Sequence, residues 1–158
     1  FVAHECILDF RDLKSKTGLS VNDLAKRLID YSFHAPTISW PVPETIMIEP
    51  TESESLVELD RFCEAMLLIG EEISEIEKNV ALKNNNVISN APHTLKELIA
   101  DNWHYPYSKE KASFPYKTPT SIKFWSSVSR INNAYGDRNL ICSCNVNQGE
   151  SFEEKKCA

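Results

Sequence analysis

The sequence predicts an α/β fold of the α+β sandwich type, with helices on one face of a small mixed sheet and an irregular C-terminal wrap. Two observations lead to this fold class. Short apolar runs of strand length alternate with two segments whose apolar residues recur every three or four positions. The resulting order is strand, helix, two strands and helix, which leaves the second face of the sheet for another part of the protein to cover.

The first two predicted elements are a strand and a helix. Residues 6–10 form a short apolar run that suits a strand. Ser20 is a predicted helix cap, with Asp23 three residues later in a pattern close to a capping box. Apolar residues follow at helical spacing, and Pro36 disfavours helical geometry just before it, so the helix is expected to end near Ser32.

Two strands and a long helix complete the first half. Residues 37–40 and 45–49 are predicted strands, separated by a proline-rich connection. The helix is expected to begin within residues 50–54, where Thr51 and Ser53 are competing caps. Its apolar stripe comprises Leu56, Leu59, Cys63, Met66, Ile69, Ile73 and Ile76.

The second half of the chain is richer in asparagine, proline and aromatic residues. A short helix is predicted after Thr94, which can form a capping box with Glu97, and a turn at residues 135–139 precedes a possible strand at residues 140–142. Between them, aromatic and proline residues favour a segment that wraps over another surface. These anchors are Trp103, Tyr105, Pro106, Tyr107, Phe114, Pro115, Tyr116, Phe124 and Trp125.

This change of composition predicts three parts along the chain. Residues 1–78 are expected to form the α/β sandwich domain. Residues 79–146 are expected to form the aromatic and proline-rich wrapping extension. Residues 147–158 are polar and are expected to be a disordered tail.

Composition and charge exclude several classes of function. The chain has 158 residues, a net charge of -6 and a pI of about 5.2, which argues against a nucleic-acid-binding surface. No apolar run approaches the roughly 18 residues of a membrane span. The chain begins with neither methionine nor a signal peptide, which suggests a piece of a longer protein. Its five cysteines suggest reduced thiols in an intracellular compartment.

Nine short strings are jointly far more specific than the hydrophobic pattern. They occupy residues 3–5, 33–37, 39–42, 47–54, 58–63, 90–93, 106–108, 123–125 and 135–140. In this order and spacing, they resemble the C-terminal end of the glycine dehydrogenase (decarboxylating) family, the P-proteins of the glycine cleavage system. The resemblance extends from about residue 3 to Cys144.

The resemblance implies the small C-terminal domain and tail of a fold-type-I enzyme that uses pyridoxal phosphate. In P-proteins, a lysine in an upstream domain holds the cofactor, glycine loses its carboxylate, and the aminomethyl group passes to the lipoyl arm of the H-protein. The protein supplies binding, orientation and electrostatics around the cofactor. The implied partners are glycine, the lipoylated H-protein, the remainder of the P-protein chain or a partner subunit, and a second copy in a dimer.

The cofactor lysine of this family follows a histidine beside a glycine-rich segment. In this chain, no lysine follows a histidine and the four glycines are scattered. We therefore expect that the chain alone neither binds pyridoxal phosphate covalently nor decarboxylates glycine, and we assign it no catalytic residue and no metal ligand. The alternative is a non-catalytic domain that acts only in packing or interaction. The expected compartment is the mitochondrial matrix in a eukaryote or the cytoplasm in a bacterium.

The chain departs from the family pattern at four positions. Ser32 and Glu44 stand where the family usually has glycine, at positions where a left-handed backbone would be natural. Gly70 replaces a larger residue inside the long helix and should cost about 1 kcal/mol relative to alanine. Ser126 stands where proline normally follows the Phe-Trp pair. These departures concern local stability more than identity.

Arginines are the first candidates for contact with glycine. Arg130, Asp137 and Arg138 follow the wrapping segment, and fold-type-I enzymes often take the substrate carboxylate with an arginine of this domain. A guanidinium can bind a carboxylate through two hydrogen bonds. The alternative is an Arg–Asp pair that locks the turn at residues 135–139. Arg11 has the same two interpretations.

His34, Thr51 and Ser53 are further candidates for lining the active site. His34 could reach the mouth of the site, or its ring could bind a backbone carbonyl; His4 has the same alternatives. The amides and hydroxyls at Thr51 and Ser53 could hold the glycine carboxylate at a helix start. The neighbouring acidic residues favour plain capping instead.

Cys142 and Cys144 are redox candidates. Two positions apart on a strand, they would face the same way, and a bridge between them would be strained. A structural zinc site would need four ligands, which this spacing does not supply. We expect one accessible thiol near the active-site entrance, able to pair with a cysteine elsewhere in the enzyme. The alternative is two small, apolar-like residues in a terminal strand.

Overall fold

The computed structural model describes residues 4–116 and 123–141, in which three strands and six helices are formed. In chain order these are β1 (Cys6–Asp9), α1 (Leu13–Thr17), α2 (Val21–Asp30), β2 (Thr37–Ile38), β3 (Thr45–Ile48), α3 (Leu56–Glu77), α4 (Leu95–Ile99), α5 (Lys109–Ser113) and α6 (Asn133–Arg138). This small domain of mixed helices and strands confirms the predicted α/β class.

The sheet has the order β1–β3–β2, and both pairings are antiparallel. Cys6 is opposite Ile48, and Thr37 is opposite Met47. The expectation of a mixed sheet was therefore wrong. Residues 39–44 connect β2 to β3, and this connection is too short for the crossover that a parallel pair requires.

One face of the sheet is covered and the other is partly open. Ile46 is fully buried on the covered face, opposite Leu8 on one side and Ile38 on the other. Helix α2 contacts β2 and β3, while α3 packs against α1 and α2. On the other face, Ile7 is 43% exposed beside half-buried Met47. Thr45, on the same face, is buried, so the exposed part of this face is the end with Ile7, and that end fits the expectation that the second face needs a cover.

The hydrophobic core draws on both halves of the chain. Leu24 and Leu28 of α2 and Ile69 of α3 are almost fully buried in it. Val87 and Ile88, from the second half, belong to the same cluster. The proposed division at residues 78 and 79 stays a prediction.

Local capping decides where the helices begin. At the start of α2, the backbone N–H and the hydroxyl of Ser20 donate to the Asp23 carboxylate at 2.7 and 2.8 Å, as the sequence predicted. The predicted start of α3 was wrong, because its N-cap is Ser55. The hydroxyls of Thr51 and Ser53 are 2.6 Å apart and bond each other instead of capping the helix.

Short elements account for the other differences from prediction. Thr94 caps α4 as expected, with its hydroxyl accepting from the Glu97 amide at 3.2 Å. The one-turn helices α1 and α5 were not predicted, since five residues are too few to show a helical period. The turn expected at residues 135–139 lies largely within the short helix α6 instead. Leu140 and Ile141 are not in a strand, and Cys142 lies outside the described residues.

The backbone is left-handed at both positions where the family usually has glycine. Ser32 has φ 65° and Glu44 has φ 57°. Both values confirm the sequence interpretation. At Gly70, an added Cβ would meet nothing within 4 Å, so close packing within the described residues does not explain this glycine.

Candidate active-site edge

Three predicted site residues flank one edge of the sheet. Strands β1 and β2 begin at this edge, and β3 ends there. His34 lies three residues before β2, while Thr51 and Ser53 follow β3. All three residues are exposed. The strand register therefore brings them to the same end of the sheet, which we call the active-site edge after the role that the sequence predicts for these residues.

The loop of residues 31–34, which carries His34 to this edge, is held by α3. Arg61 donates from Nη1 to the Tyr31 carbonyl at 3.0 Å, and its guanidinium lies 3.8 Å from the centre of the Phe33 ring. Glu58 orients this guanidinium, accepting from Nη2 of Arg61 at 2.7 Å. That hydrogen bond lowers the pKa of the Glu58 carboxyl.

A segment from the second half holds the same loop from another side. The backbone N–H of Phe124 donates to the Ser32 hydroxyl at 3.0 Å. The Lys123 ammonium donates to the Asp30 carbonyl at the end of α2. Burial lowers the pKa of Lys123 to about 8. Two distant parts of the chain therefore fix the loop that carries His34.

Next to this edge lies a closed polar cluster centred on Arg27, which is fully buried. Its guanidinium uses all five N–H groups: it donates to Glu72 at 3.0 and 2.6 Å, to Asp30 at 3.0 Å, and to the carbonyls of Lys111 and Ala112 at 2.7 Å each. Burial opposes the charge, but Glu72 and Asp30 outweigh it and raise the pKa of Arg27. We call this cluster the Arg27 network.

His93 extends the Arg27 network toward the aromatic residues of the second half. Its backbone N–H donates to Asp30 at 2.8 Å, and its ring nitrogens lie 2.9 Å from Asp30 and 2.9 Å from the Tyr107 hydroxyl. The rings of Trp103 and Tyr105 pack beside it. Burial raises the pKa of Tyr107. Because its groups are buried and bonded to one another, the network suits a structural role rather than contact with substrate.

Sequence reasoning did not single out Arg27, Asp30 or Glu72, although Tyr107 was among the predicted aromatic anchors. His93 lies in one of the nine recognised strings, and Arg27 interrupts the last turn of an otherwise well-patterned helix. A cationic residue at a position that faces the core was the available signal. Asp30 lies three residues from Arg27, but Glu72 and Ala112 lie 45 and 85 residues away, beyond the reach of local patterns.

The predicted residues Arg130, Asp137 and Arg138 lie in different surroundings in the structure. Arg130 pairs with Asp23 and donates to the Ala91 carbonyl at 3.3 Å, so its guanidinium joins the second half to α2. Asp137 and Arg138 lie on α6, whose residues are all exposed. The structure does not bring Arg130 to a free position where it could take a substrate carboxylate.

Arg11 and the cysteines complete the predicted set. Arg11 forms a two-pronged pair with Asp9, with distances from 2.5 to 3.0 Å, at the opposite end of the sheet from His34. Cys142 and Cys144 lie outside the described residues. Within those residues, no group of three or more potential metal ligands is assembled.

Two depressions mark the surface around these groups. One, of about 310 Å³, lies between α3 and α5 and is lined in part by the Glu75–Lys111 ion pair and Tyr107. The other, of about 430 Å³, is open and is lined by Arg130 with Asn22 and the residues that follow Arg130. Among the described residues, no helix has the length and apolar character needed to cross a bilayer.

The sequence of this chain matches one protein family and several curated proteins. Residues 1–93 match the family described as "Glycine dehydrogenase, C-terminal domain". A glycine dehydrogenase (decarboxylating) of Prochlorococcus marinus (strain NATL1A) is 62% identical over 90% of this chain, and one of Thermosynechococcus vestitus is 58% identical over 92%. A mitochondrial one of Dictyostelium discoideum is 58% identical over 90%. The chain spans 14–15% of the length of these curated relatives.

Proposed function

Because this chain belongs to the glycine dehydrogenase (decarboxylating) family, we propose that it forms the C-terminal part of a P-protein of the glycine cleavage system. The identity of about 60% across 90% of the chain is the observation that supports the proposal. The proposed reaction is the decarboxylation of glycine, with transfer of the aminomethyl group to the lipoyl arm of the H-protein.

Pyridoxal phosphate would supply an electron sink for this reaction, but the described residues of this chain do not fit the cofactor. A covalent site needs a lysine beside a phosphate cradle, and Lys123, whose pKa burial lowers to about 8, is bound to the Asp30 carbonyl. A phosphate cradle needs clustered backbone amides, whereas Gly18, Gly70 and Gly136 lie in separate elements. We therefore assign the cofactor site to the upstream part of the enzyme, and expect the chain alone to be inactive.

We propose that this chain shapes and closes the glycine site through the active-site edge. His34 offers an imidazole at this end of the sheet. The hydroxyls of Thr51 and Ser53 bond each other at 2.6 Å, which leaves one hydroxyl proton of the pair free, and all three residues are exposed. These groups can donate hydrogen bonds to a carboxylate. Arg130, Asp137 and Arg138 remain weaker proposals, since Arg130 is already bound to Asp23.

The proposed assembly is a dimer in which the open sheet face meets the remainder of the P-protein. Ile7 on that face is 43% exposed, which supports a covering partner. The proposed compartment is the mitochondrial matrix if the source is a eukaryote and the cytoplasm if it is a bacterium. Neither nucleic acid nor a membrane is among the proposed partners.

We also propose that Cys142 or Cys144 is an accessible thiol near the active-site entrance. A full-length double variant, Cys142→Ser with Cys144→Ser, should lose any difference in activity between oxidising and reducing conditions that the natural protein shows. A natural protein with the same activity under both conditions would contradict this role.

The decisive experiment uses the full-length protein that carries this chain. Purified with pyridoxal phosphate and lipoylated H-protein, it is expected to release carbon dioxide from glycine. The chain expressed alone should show neither the visible absorbance band of a lysine-bound cofactor nor a lysine adduct after reduction. Failure of the full-length protein to decarboxylate glycine would contradict the proposal and favour a packing or interaction module. A lysine adduct on the isolated chain would contradict the assignment of the cofactor upstream.

A further inference from the structure

The loop of residues 31–34 has a strained backbone, and its residues become more exposed to solvent from the first to the last. Ser32 is held at φ 65°, a conformation that residues with a Cβ rarely adopt. Tyr31 is buried, Ser32 and Phe33 are half-buried, and His34 is exposed. The loop is therefore anchored along its first three residues and presents its fourth to solvent.

Arg61 is the residue that touches this loop at two points. It donates to the Tyr31 carbonyl and stacks on the Phe33 ring at the same time. A guanidinium can do both because its flat face stacks on the ring while its N–H groups donate sideways, within its own plane. A lysine ammonium is a point charge without a flat face, so it cannot stack on the ring and donate in this way. Glu58 occupies the far side of the guanidinium and fixes its orientation.

Two further contacts hold the same loop in place. The Phe62 ring meets the Phe33 ring edge-on, with centres 5.3 Å apart. The Phe124 amide donates to the Ser32 hydroxyl at 3.0 Å. Strained backbone persists only where its surroundings hold it, and such places cluster at functional sites. An exposed histidine at the end of a strained and firmly held loop is therefore a functional candidate on structural grounds.

We propose that Arg61 is a positioning residue that fixes the backbone from which His34 binds the carboxylate of glycine. Arg61 does not touch the substrate; it acts through Tyr31 and Phe33. The Arg61–Glu58 pair is partly buried, with the Arg61 side chain 15% exposed and the Glu58 side chain 40% exposed, and it orients the guanidinium toward the loop. The proposal rests on the proposed function and on His34 as a glycine-site residue.

The test uses the full-length enzyme with pyridoxal phosphate and lipoylated H-protein. Arg61→Leu is expected to raise the KM for glycine about fivefold to tenfold, the size of one ordinary hydrogen bond, while kcat changes less than about twofold. Arg61→Lys, which keeps the charge and can still donate to the Tyr31 carbonyl but cannot stack on Phe33, should give a smaller rise. The matched control is Glu64→Gln on the same helix, which keeps an acceptor for the Tyr116 hydroxyl 2.7 Å away and should leave KM unchanged.

A double-mutant cycle separates positioning from general stability. If Arg61 acts through His34, then Arg61→Leu in a His34→Ala background should raise KM by less than about twofold further. Additive effects of the two substitutions would overturn the proposal. So would an Arg61→Leu or Arg61→Lys enzyme that melts at a lower temperature with an unchanged KM. An inactive natural enzyme would contradict the proposed function itself, whereas an active one with additive effects would contradict only the role of Arg61.

Discussion

The Arg27 network and the active-site edge use similar side chains in opposite settings. Both contain an arginine that donates to a carboxylate and to a backbone carbonyl, and both include a histidine. Arg27 and His93 are almost completely buried, whereas His34 is exposed. Residue type alone therefore does not identify a binding site, because burial decides which polar groups remain free for a ligand.

The energetic roles of the two arginines should differ accordingly. Arg27 satisfies two buried carboxylates and two carbonyls, so its loss would leave charges uncompensated in a dry setting. Arg61 lies on a more accessible surface and orients a loop. The first arginine should govern stability and the second should govern substrate affinity.

The largest expected effect comes from breaking the Arg27 network. Arg27→Met should lower the free energy of unfolding by about 3–5 kcal/mol, because Glu72 and Asp30 would be left buried without their partner. The exposed pair of Arg11 with Asp9 supplies the control, since both side chains stay in water and Arg11→Met should cost far less. Denaturant unfolding of the full-length protein measures both, and equal losses would break the comparison.

A second prediction uses pH to test whether water is excluded from the Arg27 network. Burial raises the pKa of Tyr31 and of Tyr107, so the folded protein keeps phenolic protons that the unfolded chain loses above about pH 10. Because the folded state then binds more protons, stability should fall as pH rises above about 10. Each tyrosine contributes at most about 1.4 kcal/mol per pH unit.

Substitution isolates the contribution of one of these tyrosines. Tyr107→Phe should make the loss of stability with alkaline pH less steep, while Tyr135→Phe, at an exposed position, should not. Comparing variants at each pH cancels the opposite effect of Lys123, whose lowered pKa favours the folded state as pH rises from about 8. The measurement is denaturant unfolding between about pH 9 and pH 11. If the free energy of unfolding of Tyr107→Phe changed with pH as steeply as that of the natural protein, water would have access to the His93 end of the network.

The smallest predicted effects concern the left-handed residues and sharpen the view of the active-site edge. Glu44→Gly should stabilise the protein by about 0.5–1 kcal/mol, because glycine adopts positive φ without a Cβ clash. Ser32→Gly should gain less, since it also removes the hydroxyl that accepts from Phe124. Melting temperatures provide the comparison. An equal gain at both positions would show that the Ser32 hydroxyl does not hold the loop.

The elements with clear periodic patterns were predictable from the sequence. The strand at residues 6–9 and helix α2 follow an apolar run and an apolar face, and Ser20 with Asp23 marks the helix start correctly. The start of α3 was less accessible, because several hydroxyl and acidic residues compete as caps between residues 51 and 55. Only the bond between Thr51 and Ser53 shows why the cap falls later.

The residues of the candidate site were proposed from the sequence, but the contacts that support them were not. His34, Thr51 and Ser53 were proposed from the sequence, and the strand register places them at one edge. The support beneath His34 was not foreseen, since Arg61 and Phe124 lie far along the chain from the loop they contact. Contacts over such separations leave no periodic trace, so they become visible only in three dimensions.

The reach of Arg27 also bears on how such chains can change over evolution. The match to the family's C-terminal domain covers residues 1–93, whereas the carbonyls that satisfy Arg27 belong to Lys111 and Ala112, in the part of the chain where identity with the curated relatives continues. A truncation after residue 93 would leave two guanidinium N–H groups without acceptors inside the protein. Recombination that joined the two sides of that boundary from divergent relatives would carry the same penalty. The segment around α5 and helix α2 should therefore be inherited together, with substitutions in one followed by compensating substitutions in the other.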